Sequence, residues 1–127
     1  MKIAASAAII KDKKILLIKR SNYSLYFPGH WTLPGGKAEE GEPVNKTIVR
    51  EIKEEVNLDF KPGENYHISI FKDRRVFHYL GEWSGEVKLQ EDEATAYGWF
   101  TYNEALEQEL GFNHKELLEK IHKKELI

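Results

Sequence analysis

Gly36–Leu58 reads GKAEEGEPVNKTIVREIKEEVNL, and its periodicity is that of a helix entered through a tight turn. Pro43 stands at a first helical position, where its fixed φ and missing N–H do no harm. Ile48, Val49, Ile52 and Val56 then recur at helical spacing, which predicts a helix over residues 44–56 with one apolar stripe. Asn57 closes it, being a residue that readily takes the left-handed conformation in which helices end. Residues three and four apart share a helix face, so Glu51, Glu54 and Glu55 crowd together beside the apolar stripe. Glu42 lies at the helix entrance, about two turns away. Like charges this close repel by a few tenths of a kcal/mol per exposed pair. A cation among them relieves the repulsion, and carboxylates without a thiol or imidazole partner favour a hard ion, Mg²⁺ or Mn²⁺. An acidic helix face is ordinarily just solvated surface, and Arg50 and Lys53 could balance it without metal. The charge pattern alone therefore does not decide.

Upstream of this segment, Ile3–Ile10 and Ile15–Ile18 are apolar runs around Lys11–Lys14, the pattern of a β-hairpin. Ser21–Pro34 is irregular and rich in rings: Tyr23, Tyr26, Phe27, His30 and Trp31. Long loops of this kind in compact domains often carry function. Gly35–Glu42 reads as a glycine- and acid-rich turn. Downstream, strands are expected at Tyr66–Lys72, Arg75–Leu80, Glu86–Leu89 and Tyr97–Phe100, with turns at Asp73-Arg74 and Gly81–Gly85. Thr101-x-x-Glu104 has the form of a capping box opening a helix that stops before Gly111. A last helix starts near His114, capped by Asn113, with Leu117, Leu118 and Ile121 on its inner face. Strands, a helix, more strands and then helices make an α+β domain.

At 127 residues the chain fits one domain, 1–127, able to bury a core without covalent staples. It has no cysteine, which removes disulfides, thiolate metal sites and cysteine nucleophiles together. A net charge of −2 argues against a general nucleic-acid binder, which would carry a basic face. The apolar run at the N-terminus is too short for a membrane span, and a cytoplasmic protein is expected. No G-x-S-x-G nucleophile elbow is present, and Gly36-Lys37-Ala38 lacks the other residues of a P-loop.

The spacing raises the acidic helix above the ordinary reading. The segment runs G-x₅-E-x₇-R-E-U-x-E-E-x-N-U, with U a bulky aliphatic residue. It resembles the Nudix box, G-x₅-E-x₇-R-E-U-x-E-E-x-G-U, at eight of its nine specified positions. The preceding Trp31-Thr32-Leu33-Pro34-Gly35-Gly36 also looks like that family's lead-in. The one departure, Asn57 for glycine, touches no acid and leaves the metal site intact.

The resemblance implies the Nudix fold, a mixed curved β-sheet between α-helices, and Mg²⁺-dependent hydrolysis of a pyrophosphate bond in a nucleotide (with Mn²⁺ an alternative). It implies that Glu51, Glu54 and Glu55, with the Gly36 carbonyl, hold metal, that Arg50 orients one of those carboxylates, and that Glu42 is a more distant acid that helps orient the site or binds a metal through water. Glu54 or Glu55 is then a candidate base, as is Glu93 in the acidic stretch before the Tyr97–Phe100 strand. Arg20, at the end of the second strand, is a candidate phosphate contact, and Tyr23, Tyr26 or Phe27 are candidates for stacking on a base. The five histidines are read as structural or exposed. Gly111-Phe112-Asn113-His114 is faintly similar to a segment of family members acting on ADP-sugars. Nucleoside triphosphates, ordinary or oxidised, come first as substrates, followed by dinucleoside polyphosphates and ADP-ribose-like compounds. The implied partner is a small nucleotide, with neither nucleic acid nor membrane. The family resemblance allows a homodimer, for which no residue pattern argues. A Nudix-fold sensor that binds nucleotides without cutting them is the alternative from another class, and retention of the three acids argues against it.

Overall fold

The structure, a computed structural model, describes residues 1–90 and 94–127. These form two compact units, Met1–Ile9 with Pro34–Gln90, and Ile10–Leu33 with the described part of Glu91–Ile127.

In the first unit, four strands form a mixed sheet in the order β5-β1-β7-β6. These are β1 (Lys2–Ala8), β5 (Gly35–Lys37), β6 (Asp59–Phe71) and β7 (Arg74–Ser84). β1 runs parallel to β7 and antiparallel to β5, and β6 pairs antiparallel with β7. Helix α1 (Val44–Val56) packs against β1, β5 and β6 of this sheet.

The helix lies where its periodicity places it. Pro43 is the residue before it, extended with ψ 140°, one place earlier than expected. Asn57 ends it at φ 65°, ψ 22°, and its N–H bonds the Lys53 carbonyl. Ile48, Ile52 and Val56 are fully buried, but Val49 is 39% exposed. Val49 lies at the edge of the stripe, and the buried face instead turns toward Thr47 and Glu55.

Other expectations shift. Gly35–Lys37, expected in a turn, is a strand pressed onto β1. The β6–β7 hairpin is longer than its apolar patterning suggests. It runs through Pro62, which an edge strand tolerates, with register shifts between Pro62 and His67. Gly81–Ser84 continues β7 instead of turning. The tight turn is Lys72-Asp73, with Lys72 at φ 54°, one residue earlier than expected. Glu86–Leu89 is not a strand: the amides of Lys88 and Gln90 donate to the carbonyls of Val56 and Glu55. It satisfies carbonyls at the end of α1 that have no partner within the helix.

In the second unit, β2 (Ile10–Lys11), β3 (Lys14–Arg20), β4 (Trp31–Thr32) and β8 (Ala94–Phe100) form a sheet with β3 paired to the other three. The hairpin expected of the whole N-terminal run is confined to β2 and β3, around Asp12-Lys13 at φ 52° and 63°. Two consecutive positive φ values give the turn whose twist matches that of a hairpin. The Ile3–Ala8 part of the run is β1, with partners β5 and β7. Ile15–Ile18 are all buried, as in a strand covered on both faces. Thr101 and Glu104 form the expected capping box at the start of α2 (Tyr102–Leu106). α3 (His114–Lys123) buries Leu117, Leu118 and Ile121. Asn113 precedes it without a side-chain capping bond. Among the described residues, no helix is long and apolar enough to cross a membrane.

Candidate active site

The acids of α1 and the turn before it gather around one guanidinium. Long helical side chains lean toward the N-terminus, and Arg50 reaches back along α1 to Glu42. Its Nε donates to Glu42 Oε2 at 2.8 Å and its Nη2 to Glu42 Oε1 at 2.9 Å. Nη2 also donates to the Lys37 carbonyl at 3.0 Å. Nη1 divides its hydrogens between Glu51 Oε1 at 2.9 Å and Glu54 Oε2 at 3.1 Å. All five guanidinium donors are thus engaged, a set that only arginine can supply.

Glu42 is therefore the bidentate partner of Arg50 and meets the helix acids through it. Thr47 adds a further bond to it, Oγ1 donating to Oε1 at 2.7 Å. The hydrogen bonds from Arg50, and next that from Thr47, hold the Glu42 carboxyl down at about 2. Its partnership with Glu42 pushes the Arg50 guanidinium above its already high value.

The three acids of the helix separate by environment. Glu51 leans on the β5 backbone: a Cβ on Gly36 would lie 2.3 Å from Glu51 Oε2. Only glycine leaves room for that carboxylate. Glu55 is 6% exposed, and its Oε1 accepts the Gly35 N–H at 2.8 Å. Glu54, with 57% of its side chain exposed, is the most open to water.

Three carboxylates against one guanidinium, with Glu55 close by in sequence, leave an excess of negative charge. The donors are all hard oxygens, and Glu51 Oε2 rests in a cradle that a side chain at 36 would fill. That set suits a divalent cation such as Mg²⁺. Among the described residues, no three acids or histidines already stand in coordination geometry, since Glu42, Glu51 and Glu54 converge on Arg50. Beside Glu42, a cleft of about 480 Å³ is lined by Lys2, Ile3 and residues 37–42.

The structure thus brings Gly36, Glu42, Arg50, Glu51 and Glu54 together, with Glu55 tied to the neighbouring Gly35. Glu93 lies outside the described residues. The proposed substrate contacts belong to the second unit. Arg20 Nε donates to the Tyr26 carbonyl at 2.9 Å, and its guanidinium lies 5.2 Å over the Phe112 ring. Phe27, at φ 50°, packs on Phe112, itself at φ 54°, with ring centroids 4.7 Å apart. Arg20 and Phe27 thus meet through Phe112, whereas Tyr23 is 97% exposed. Trp31 sits edge-on to Phe100, a packing role. Thr47, the Lys37 carbonyl and the Gly35 amide were not foreseen. Thr47 follows Glu42 by five residues, but nothing in the spacing marks it.

Comparison with known proteins identifies the family. A family model described as NUDIX domain matches residues 1–121. An ADP-ribose pyrophosphatase of Methanocaldococcus jannaschii is 36% identical over 123 residues, 91% of this chain and 70% of that protein. A CTP pyrophosphohydrolase of Escherichia coli K12 is 33% identical over 85% of this chain and 82% of that one. Against several longer relatives the chain spans less than half of their length. The crystal structure of a MutT NUDIX hydrolase from Burkholderia pseudomallei superposes with a TM-score of 0.85 at 32% identity, covering 94% of this chain and 97% of that one.

Proposed function

The chain belongs to the Nudix family of pyrophosphohydrolases, and on that premise we propose that it cuts nucleoside triphosphates, ordinary or oxidised, to the nucleoside monophosphate with Mg²⁺. The observation that carries the reading is the Arg50-centred cluster of Glu42, Glu51 and Glu54 beside the Gly36 cradle. Glu51, Glu54 and Glu55 with the Gly36 carbonyl are the residues that would hold the ion. When bound, Mg²⁺ neutralises the phosphate oxygens and acidifies water.

The chain's own residues do the rest. Arg50 fixes Glu51 and Glu54 through one nitrogen, so the two carboxylates enter the reaction already oriented. Glu42 and Thr47 in turn immobilise Arg50. Glu54, the most open acid, has Oε2 on Arg50, and its Oε1 takes the proton of the attacking water. Glu55, buried on Gly35, serves position rather than proton transfer.

ADP-ribose is the second reading, favoured by the 36% identity to an enzyme named for that substrate. The test is product release from a panel of ordinary and oxidised dNTPs, diadenosine polyphosphates and ADP-ribose, with Mg²⁺. Wild type is expected to cut the triphosphates best, and Glu54→Gln to lose about 100- to 1000-fold in kcat. Preference for ADP-ribose would replace the first substrate with the second. Nucleotide binding without cleavage of anything on the panel would favour a sensor.

A further inference from the structure

The first unit buries a polar side chain that the reaction does not use. His78 on β7 is 1% exposed and lies between two serines. Its Nδ1 is 2.6 Å from Ser6 Oγ on β1, and its Nε2 is 2.8 Å from Ser69 Oγ on β6. A neutral imidazole has one donor and one acceptor, and a hydroxyl can meet either, so both ring nitrogens are satisfied without charge. Burying Ser6 and His78 costs free energy that these two bonds, the second to a half-buried Ser69, offset. In exchange, side chains link three adjacent strands: Ser6 stands opposite His78, and Ser69, opposite Val76, reaches His78 diagonally. A one-residue slip of a strand turns its side chains to the opposite face, so the link holds only when Ser6 stands opposite His78, as it does.

The same level continues into the active site. Ser6 is also the partner of Gly35 on β5. A Cβ on Gly35 would lie 2.0 Å from the Ala5 carbonyl oxygen and 2.7 Å from Ser6 Cα, so the two backbones are pressed together there. The Gly35 N–H is the group that holds Glu55 Oε1. A continuous line runs Ser69–His78–Ser6–Gly35–Glu55, from the edge strand β6 across the sheet to α1.

We propose that Ser6 and His78 are positioning residues for the hydrolysis: their link sets β1, β1 sets the Gly35 amide, and that amide holds the Glu55 carboxylate in place. The inference rests on the reading of Glu55 as an acid of the active site.

The test pairs NMR of the Gly35 amide with steady-state kinetics in Ser6→Ala, His78→Gln and Glu55→Gln. Glu55→Gln calibrates how the Gly35 amide proton responds when its acceptor loses charge. Ser6→Ala is expected to move that proton in the same direction, to speed its solvent exchange about tenfold, and to lower kcat about tenfold with KM unchanged. His78→Gln, whose amide can still donate to one serine and accept from the other, is expected to stay nearer wild type on both counts. Should Ser6→Ala not fold, Ser69→Ala on the edge strand opens the same link from the other side, and is expected to shift the amide and kcat in the same sense. A folded serine variant with an unmoved Gly35 amide, or with a moved amide and unchanged kcat, would overturn the positioning role. If Glu55→Gln itself left kcat unchanged, the active-site reading of Glu55 would fail, whatever the Gly35 amide did.

Discussion

Arg50 and Gly36 show how much one residue decides at this site. Alanine at 36 would bring a methyl group to 2.3 Å from Glu51 Oε2, and the carboxylate must move away. A displacement of about 1 Å in a reacting constellation can cost 100-fold, so Gly36→Ala is expected to lower kcat by about that factor in a folded protein. A kcat within twofold of wild type would remove Glu51 from the reaction. Arg50→Lys keeps the charge but offers three donors from a single point, and cannot serve Glu42 bidentately while reaching Glu51 and Glu54. It is expected to lose at least tenfold in kcat, measured beside a thermal melt to show that it folds. The acids and Arg50 were legible in the sequence because their spacing is fixed along one helix. Thr47 and the Lys37 carbonyl were not. Their roles arise where the 37–42 turn folds back over the helix start, and spacing along a helix says nothing about a returning loop.

At the scale of elements, the end of α1 tests how local chemistry sets a boundary. Asn57 takes the left-handed conformation at φ 65°, which glycine adopts without penalty and a β-branched residue resists. In urea denaturation, Asn57→Gly is expected to leave stability within about 1 kcal/mol, and Asn57→Val to lower it by about 1–2 kcal/mol. Equal midpoints for the two variants would show that the conformation is not what ends the helix. The capping box at Thr101 was equally legible, because Thr101 and Glu104 lie within one turn and complete each other's bonds. Elements with distant partners were harder. β5 is three residues long and contains two glycines; it is a strand only because β1 lies against it. Glu86–Leu89 has the apolar alternation of a strand, yet its amides turn to the carbonyls of α1. Alternation reports which residues face inward and leaves the hydrogen-bond partner open.

For the molecule as a whole, the parallel pairing of β1 with β7 joins segments about seventy residues apart, and no pattern within either strand announces it. Its signature is the buried His78, which the sequence marked only as one structural or exposed histidine among five. Burial, and then the nearby His67, lower His78 to about 4 from an ordinary 6.5. A histidine depressed on folding binds fewer protons in the native state than in the unfolded chain between those values. Its contribution is therefore full above pH 6.5 and is lost as pH falls toward 4, amounting to about 3 kcal/mol. Unfolding free energies of wild type and His78→Gln across pH 4–7 are expected to differ in slope within that window, and parallel curves would count against a neutral, buried His78. Glu42, held at about 2, contributes in the same sense at lower pH, between about 4.5 and 2. Stability thus falls on acidification for two reasons that adjoin on the pH axis. Hydrolysis at this site depends on whether the acids around Arg50 hold a divalent ion. The most direct measurement is a Mn²⁺ titration followed by electron paramagnetic resonance, with wild type beside Glu51→Gln and Glu54→Gln. Wild type is expected to take up the ion, and each variant to bind it at least tenfold more weakly. Equal binding in all three would place the metal elsewhere and contradict the active site proposed here.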